Sequence, residues 1–330
     1  MRIAVIGATG HIGTYLVPRL VRGGHDVVAV SRGQRTPYRA SDAWQSVERV
    51  VADRDAEDAA GTFGARVAAL RADAVVDLMC FTPDSARQLV EALRGKVALH
   101  AHCGTIWVHG HLREVPVRED APLSPFGEYG IQKAAIEDFL FSPEAAGVPS
   151  TVLRAGHISG PGWDVVNPAG NLERSVWTAL ATGGVVHLPE NGLQTLHHVH
   201  ADDVAAAFVA ALEHPEAAAG HAFHVTSERA LTFRGFAEAV AGWFGRRAEL
   251  DFLSWDRFVD AVGKEAADAT HDHWAHSPSA DVSLARERLG HSPRFTSLEA
   301  VADALRWAVT EGGLDVGGAS LDGLPPVPAS

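Results

Sequence analysis

The chain has 330 residues and only two cysteines, Cys80 and Cys103. Both lie in apolar, strand-like runs, which points to buried reduced thiols rather than to a disulfide framework. No run of 18 apolar residues occurs, so no membrane-spanning helix is expected. The first strand pattern starts at once and leaves no stretch for a secretory signal, so a cytoplasmic protein is the expectation. Positive charge is scarce. Lys and Arg number 28 against 41 Asp and Glu, a net charge of −13. That balance disfavours nucleic acid and anionic membranes as partners and leaves a small-molecule substrate. Internal repeats and low-complexity blocks are missing too. What remains is ordinary for a globular chain, 46% hydrophobic and 21% charged, with length enough for a sizeable core.

The most informative stretch is Gly7-Ala8-Thr9-Gly10-His11-Ile12-Gly13, between the apolar run Ile3–Ile6 and a helical pattern at Tyr15, Leu16, Leu20 and Val21. A buried strand, a glycine turn and a helix N-terminus in that order form a phosphate-binding device. Gly7, Thr9, Gly10, His11, Ile12 and Gly13 are therefore candidate cofactor residues. Val27–Val30 is a second strand and completes a β-α-β unit. It ends in Ser31-Arg32-Gly33-Gln34-Arg35. No acid stands there to accept from a ribose 2′-OH, whereas Arg32, with Arg35 behind it, suits a 2′-phosphate. NADP is the expected cofactor, with NAD as the alternative if Arg32 is a solvated loop residue or only stacks on adenine. Asp53, after a third strand over 46–52, is a candidate for the adenine amino group or a turn residue.

Further strands are predicted at 74–80 and 97–103, with helices at 56–70 and 83–93. Met79, at the end of the fourth strand, is a further cofactor candidate. Strands alternating with helices imply an α/β fold with a Rossmann-type, doubly wound parallel sheet. A helix is predicted over 129–140 and a strand over 151–155. The pattern changes after Trp163, with helices near 171–182, 232–244, 255–264 and 298–310. The expected division is a dinucleotide-binding domain over 1–160, a smaller and mostly helical substrate domain over 161–315, and a flexible tail over 316–330. Strands near 196–200 and 222–226 are expected to return to the first domain.

Tyr129 and Lys133 are four apart on one predicted helix and share a face. An ammonium beside a phenol lowers the phenol pKa, which would make Tyr129 an acid or base near neutral pH. Thr105 can supply a hydroxyl to the same substrate oxygen. In a doubly wound sheet, the glycine turn and these groups share the crevice at the strands' carboxyl ends.

With these motifs in hand, the sequence resembles the extended short-chain dehydrogenase/reductases, the group of NAD-dependent epimerases and dehydratases. The resemblance is carried by Gly7-x-x-Gly10-x-x-Gly13, by Tyr129-x-x-x-Lys133, and by Thr105 within Thr105-Ile106-Trp107-Val108-His109-Gly110. Leu153-Arg154-x-x-His157-x-x-Gly160-Pro161 and His198-Val199-His200-x-Asp202-Asp203 extend it to about residue 310. It implies hydride transfer between a substrate carbon and nicotinamide, with Tyr129 as the acid or base. Lys133 would tune Tyr129 and hold the nicotinamide ribose, and Thr105 would orient the oxygen. It also implies a homodimer through the Tyr129 helix. The function it implies is that of an epimerase or reductase acting on a secondary alcohol or ketone of a sugar derivative or small metabolite. The alternative from another class is a non-catalytic NAD(P)-binding regulator or RNA-associated protein. The stretch Asp77–Pro83 is similar to a subgroup related to chloroplast stem-loop-binding proteins.

Ile106 and Trp107 follow Thr105 where the family's dehydratases carry an acid pair, so dehydration is not expected. His109 and His157 depart from the family pattern at positions that border the substrate pocket in relatives. With Trp163 and His198 they are the candidate substrate residues. His198 and His200 share one side of a strand and read equally as structural or pocket-lining. Asp202 or Asp203 is expected to cap the next helix. Arg154 reads as a buried ion pair before it reads as an anion site. The run His271–His276 lacks ligand spacing and reads as a loop or a flap over the substrate, and no metal is expected.

Overall fold

A computed structural model describes residues 1–328 of the chain. Strand β1 (Arg2–Ile6) is buried over its last four residues. It runs into Gly7, whose φ of +84° suits glycine and whose missing Cβ would lie 2.5 Å from Met79 Cγ. Helix α1 (His11–Arg22) starts after Gly10, which offers no side-chain cap. A Cβ on Gly13 would stand 2.2 Å from the Ala8 carbonyl oxygen, so only glycine lets the helix leave the turn so tightly. Strand β2 (Asp26–Ser31) then lies parallel to β1.

Next come β3 (Glu48–Val51), α2 (Arg54–Ala59), α3 (Phe63–Ala69), β4 (Ala74–Asp77), α4 (Pro83–Leu93), β5 (Leu99–Thr105), α5 (Gly127–Leu140) and β6 (Ser150–Ala155). The single helix expected over 56–70 is two helices, broken where Gly61 adopts a φ of +67°. Strand β4 stops at Asp77, whose carboxylate accepts from Met79 N at 3.1 Å and turns the chain. Strand β5 runs two residues further than expected and makes Thr105 its last residue.

The second half holds β7 (His157–Ser159), α6 (Arg174–Thr182), β8 (Val185–Pro189), β9 (Thr195–Leu196), β10 (His198–His200), α7 (Ala201–Glu213), α8 (Pro215–Ala218) and β11 (Ala222–Val225). It closes with β12 (Leu231–Thr232), α9 (Phe233–Trp243), β13 (Glu249–Leu253), α10 (Trp255–Val262), α11 (Lys264–His276), α12 (Ser283–Leu289) and α13 (Ser297–Thr310).

Seven parallel strands form the central sheet in the order β11-β6-β5-β4-β1-β2-β3. Their carboxyl ends bring the glycine turn, Ser31, Asp77 and Thr105 to one edge. One face is covered by α1 and α7, with Leu16, Leu20, Val204 and Phe208 in one cluster. The other is covered by α3, α4 and α5 through Phe63, Leu89 and Ile136. A third core, built on Trp177, Leu188, Phe233, Phe236 and Leu305, belongs to the C-terminal part.

Three expectations need correction here. Strand β11 joins the central sheet, but the 196–200 segment does not; β10 pairs with β7 in a separate two-stranded sheet. The described part of the 316–330 tail is packed, with Val316 and Leu324 buried in the third core. Residues 329–330 of that tail lie outside the described residues. The helix expected to reach residue 264 ends at Val262, and Gly263 at φ +84° starts α11, which carries His271–His276 as helix rather than loop. Among the described residues, no helix is long and apolar enough to cross a membrane.

Candidate active site

Thr105 ends β5, is 6% exposed, and accepts a hydrogen bond from Trp107 N at 3.3 Å as it caps a short 3-10 turn. That turn presents Trp107 edge-on to Tyr129, with ring centres 5.9 Å apart. Tyr129 stands in the first turn of α5 and is 44% exposed. Burial of its phenol pushes the pKa above the ordinary 10, Cys103 adds to the rise, and a hydrogen bond with Thr105 partly offsets it.

Lys133 lies one turn on and is buried. Its Nζ donates to the carbonyl oxygens of Cys80 at 2.7 Å and Cys103 at 2.8 Å, and it stands 4.7 Å from the Phe81 ring centre. Burial lowers the Lys133 pKa. The expectation that Lys133 depresses the Tyr129 pKa is thereby corrected, because two of the three ammonium N–H groups face carbonyls and the phenol is shifted upward instead.

The glycine turn sits at the same edge. His11 in its helix start hydrogen-bonds the Tyr38 hydroxyl through Nδ1 at 2.6 Å and stacks on Trp163, with ring centres 5.1 Å apart. Trp163 is therefore placed on the glycine turn rather than among the rings around Tyr129. Ile12 is buried behind the turn. Arg32 and Arg35 are exposed beyond β2, where Ser31 Oγ accepts from Gly33 N at 3.3 Å. Asp53 caps α2 by accepting from Ala56 N at 3.2 Å, as its turn reading expects. Met79 is 40% exposed beside Gly7. An uncapped helix N-terminus, two glycines that admit no Cβ, and a nearby buried ammonium fit a dinucleotide phosphate and ribose.

The histidines divide. His109 is expected at the pocket, but it is buried and bonded through Nε2 to His224 Nε2 at 2.8 Å and to Arg154 at 3.1 Å. Arg154 itself forms the buried ion pair, with Glu137 of α5, at 3.0 Å through Nε. His109 thus belongs to a network that ties α5 to β6. His200, not Asp202 or Asp203, caps α7, accepting from Asp202 N at 3.0 Å. The two aspartates instead engage Arg19 and the Phe295 amide.

His157 and His198 lie near the edge that holds Thr105 and Tyr129, with ring centres 5.7 Å apart. His157 also meets Trp107 at 6.0 Å and His273 of α11 at 4.9 Å. His276 stacks between Trp107 at 4.1 Å and Phe126 at 3.9 Å. Helix α11 therefore closes over the edge as a wall. Trp107, Phe126, His273 and His276 were not expected together at this edge from the sequence; the one available signal was the histidine-rich run read as a flap.

Asp77, Cys80 and His102 bring ligand-type atoms within 4.8 Å of one another. Burial alone would raise the Asp77 pKa, but Arg54, bonded at 2.6 Å, and the neighbouring histidines hold it at about 2. Burial and the Lys133 charge together push the His102 pKa down. Two cations beside the group disfavour a divalent ion there. A separate groove of about 1330 Å³ runs between α1, α7 and α13 and includes none of Thr105, Tyr129 and Lys133.

The family model "NAD dependent epimerase/dehydratase family" matches residues 3–226. The chain is 31% identical to 2′-dehydrokanamycin reductase of Streptomyces kanamyceticus over 74% of its own length and 67% of that protein's. It is 25% identical to the chloroplast stem-loop binding protein of 41 kDa b of Arabidopsis thaliana, over 92% and 78% of the two chains. In structure it is similar to DesIV, a dTDP-glucose 4,6-dehydratase of Streptomyces venezuelae solved with NAD and TYD, at a TM-score of 0.72 and 21% identity over 95% and 98% of the two chains. The chain belongs to the NAD-dependent epimerase/dehydratase family and is an NAD(P)-dependent oxidoreductase or epimerase.

Proposed function

We propose that the chain is an NADP-dependent reductase that converts a ketone of a small, ring-bearing metabolite into a secondary alcohol. The observation that carries the reading is the meeting of Thr105, Tyr129 and Lys133 beside the glycine turn at one edge of the sheet. Reduction is favoured over epimerisation by the relative that is itself named a reductase.

When bound, the dinucleotide supplies the hydride. The remaining work falls to the chain. Gly7, Thr9, Gly10, His11, Ile12 and Gly13 hold the pyrophosphate at the start of α1. Arg32 and Arg35 pair with the 2′-phosphate, Ser31 lies beside them, and Met79 packs along the dinucleotide. Lys133 holds the nicotinamide ribose. Thr105 donates a hydrogen bond to the substrate carbonyl oxygen. Tyr129 gives its hydroxyl proton to that oxygen as the carbon gains hydride, so C=O becomes CH–OH, and solvent returns a proton to Tyr129. His157 and His198 contact the substrate. Exposed Ile131 and Phe141 on and after α5 suit pairing with a second copy of the chain.

Titration with NADPH and NADH, followed by turnover of a ketone panel, tests the reading. Tighter NADPH binding and NADPH oxidation with a ketone support it. Tighter NADH binding refutes the cofactor choice, and the absence of any ketone reduction refutes the reaction.

A further inference from the structure

Arg54, at the start of α2, lies outside the site, yet it is a buried guanidinium with three oxygen partners. Its Nη1 donates to Asp77 Oδ1 at 2.6 Å, and its Nε donates to Ser85 Oγ at 2.8 Å and to Asp58 Oδ2 at 3.3 Å. Its guanidinium carbon stands 4.9 Å from the Phe63 ring centre. Asp77 ends β4 and Ser85 lies in the first turn of α4, so one side chain grips both ends of the turn that joins them. The middle of that turn reaches the site. Asp77 Oδ1 also accepts from Met79 N, Met79 lies beside Gly7, and the Cys80 carbonyl oxygen accepts from Lys133 Nζ. The Phe81 ring faces the same ammonium. The two acceptors of Lys133 differ in how they are held. Cys103 lies inside β5, where pairing with β6 fixes its backbone. Cys80 lies beyond the end of β4, so the turn places its carbonyl, and Arg54 holds the turn.

We infer that Arg54 is a positioning residue for Lys133: by holding Asp77 and Ser85 together it sets the Cys80 carbonyl, and with it the direction of the ammonium. Two N–H groups of Lys133 then face carbonyls, and the third is left for a ribose hydroxyl. A planar guanidinium suits this task. Its fork bonds separate oxygens in fixed directions, whereas an ammonium on a flexible stem has no such fork. A binding group left about 1 Å too loose by its supports loses its function. The effect on the cofactor rests on the reading that Lys133 holds the nicotinamide ribose.

The test is a double-mutant cycle between Arg54→Lys and Lys133→Met in the full chain. It is read as NADPH affinity by fluorescence titration and as the denaturant midpoint of the chain without cofactor. Arg54→Lys, which keeps the charge beside Asp77, weakens NADPH binding about tenfold, the worth of one hydrogen bond. In the Lys133→Met chain the same change weakens it less than about twofold, because the group it positions is gone. The midpoint shift caused by Arg54→Lys is likewise smaller in that chain. Should Arg54→Lys not fold, Ser85→Ala releases one end of the turn and gives a loss of about threefold with the same coupling. Where Lys133→Met itself weakens NADPH binding, unchanged affinity in Arg54→Lys, or equal losses in both chains, overturns the inference. Wild-type NADPH affinity in Lys133→Met refutes the ribose reading instead. The midpoints then decide the positioning by themselves: coupled shifts uphold it and additive shifts overturn it.

Discussion

Lys133 and Tyr129 share a face of α5, yet the Lys133 ammonium stands 5.8 Å from the Tyr129 ring centre and gives its hydrogen bonds to the Cys80 and Cys103 carbonyls. In the chain as described, the lysine fastens α5 to β5 and to the segment after β4, and Thr105 hydrogen-bonds the phenol. Burial also raises the pKa of Tyr15, to about 12, and of Tyr38.

The first prediction follows from these shifts. At pH 10 the folded protein shows less phenolate absorbance near 295 nm than the unfolded chain, and Lys133→Met leaves the folded signal unchanged. The same variant lowers stability by about 1–3 kcal/mol in denaturant unfolding, because two buried carbonyls lose their donor. A rise in folded phenolate in wild type to the unfolded level would contradict the assignment.

Acid sensitivity is the second. Burial lowers His100 and His197 to about 4 from the ordinary 6.5. Such groups are neutral in the fold and take up protons in the unfolded chain below pH 6.5. Stability is therefore complete above about 6.5 and falls as the pH drops toward 4. At pH 5.5 two such histidines cost about 3 kcal/mol together. Thermal unfolding across pH 5 to 8 checks it: the melting temperature falls on the acid side, and a flat profile would speak against neutral burial.

Third, Glu137→Gln leaves the Arg154 guanidinium, which is buried with His109 and His224, without its carboxylate. Breaking a buried pair in this way lowers stability by about 3–5 kcal/mol. Replacing both Glu137 and Arg154 with apolar residues of similar volume costs less than the single change. Denaturant unfolding of the two variants against wild type measures both effects.

The β1–turn–α1 device and the Tyr129–Lys133 spacing were legible in the sequence because each is set by neighbours along the chain. Gly7 and Gly13 occupy positions where a Cβ would collide, and that requirement is local. The roles of the histidines were not legible, because each is decided by a partner far away in sequence. His109 is claimed by Arg154 and His224, while His276 is held by Trp107 and Phe126. The same holds for the C-terminal stretch. Its glycines and prolines read as a loose tail, but Val316 and Leu324 find apolar partners in the third core.

Cofactor choice supplies the fourth prediction. Arg32→Ser weakens NADPH binding about tenfold, the loss of one charge-assisted contact, and leaves NADH binding unchanged. Fluorescence titration with both cofactors reads the split. Equal losses for the two would assign Arg32 to adenine rather than to the 2′-phosphate.

The central claim is that Tyr129 delivers the proton in ketone reduction, and the most direct test is NADPH-dependent turnover by wild type and Tyr129→Phe on one ketone substrate. The account predicts a loss of kcat/KM of about 10²–10⁴-fold with NADPH affinity unchanged. Full turnover by the phenylalanine variant would contradict it.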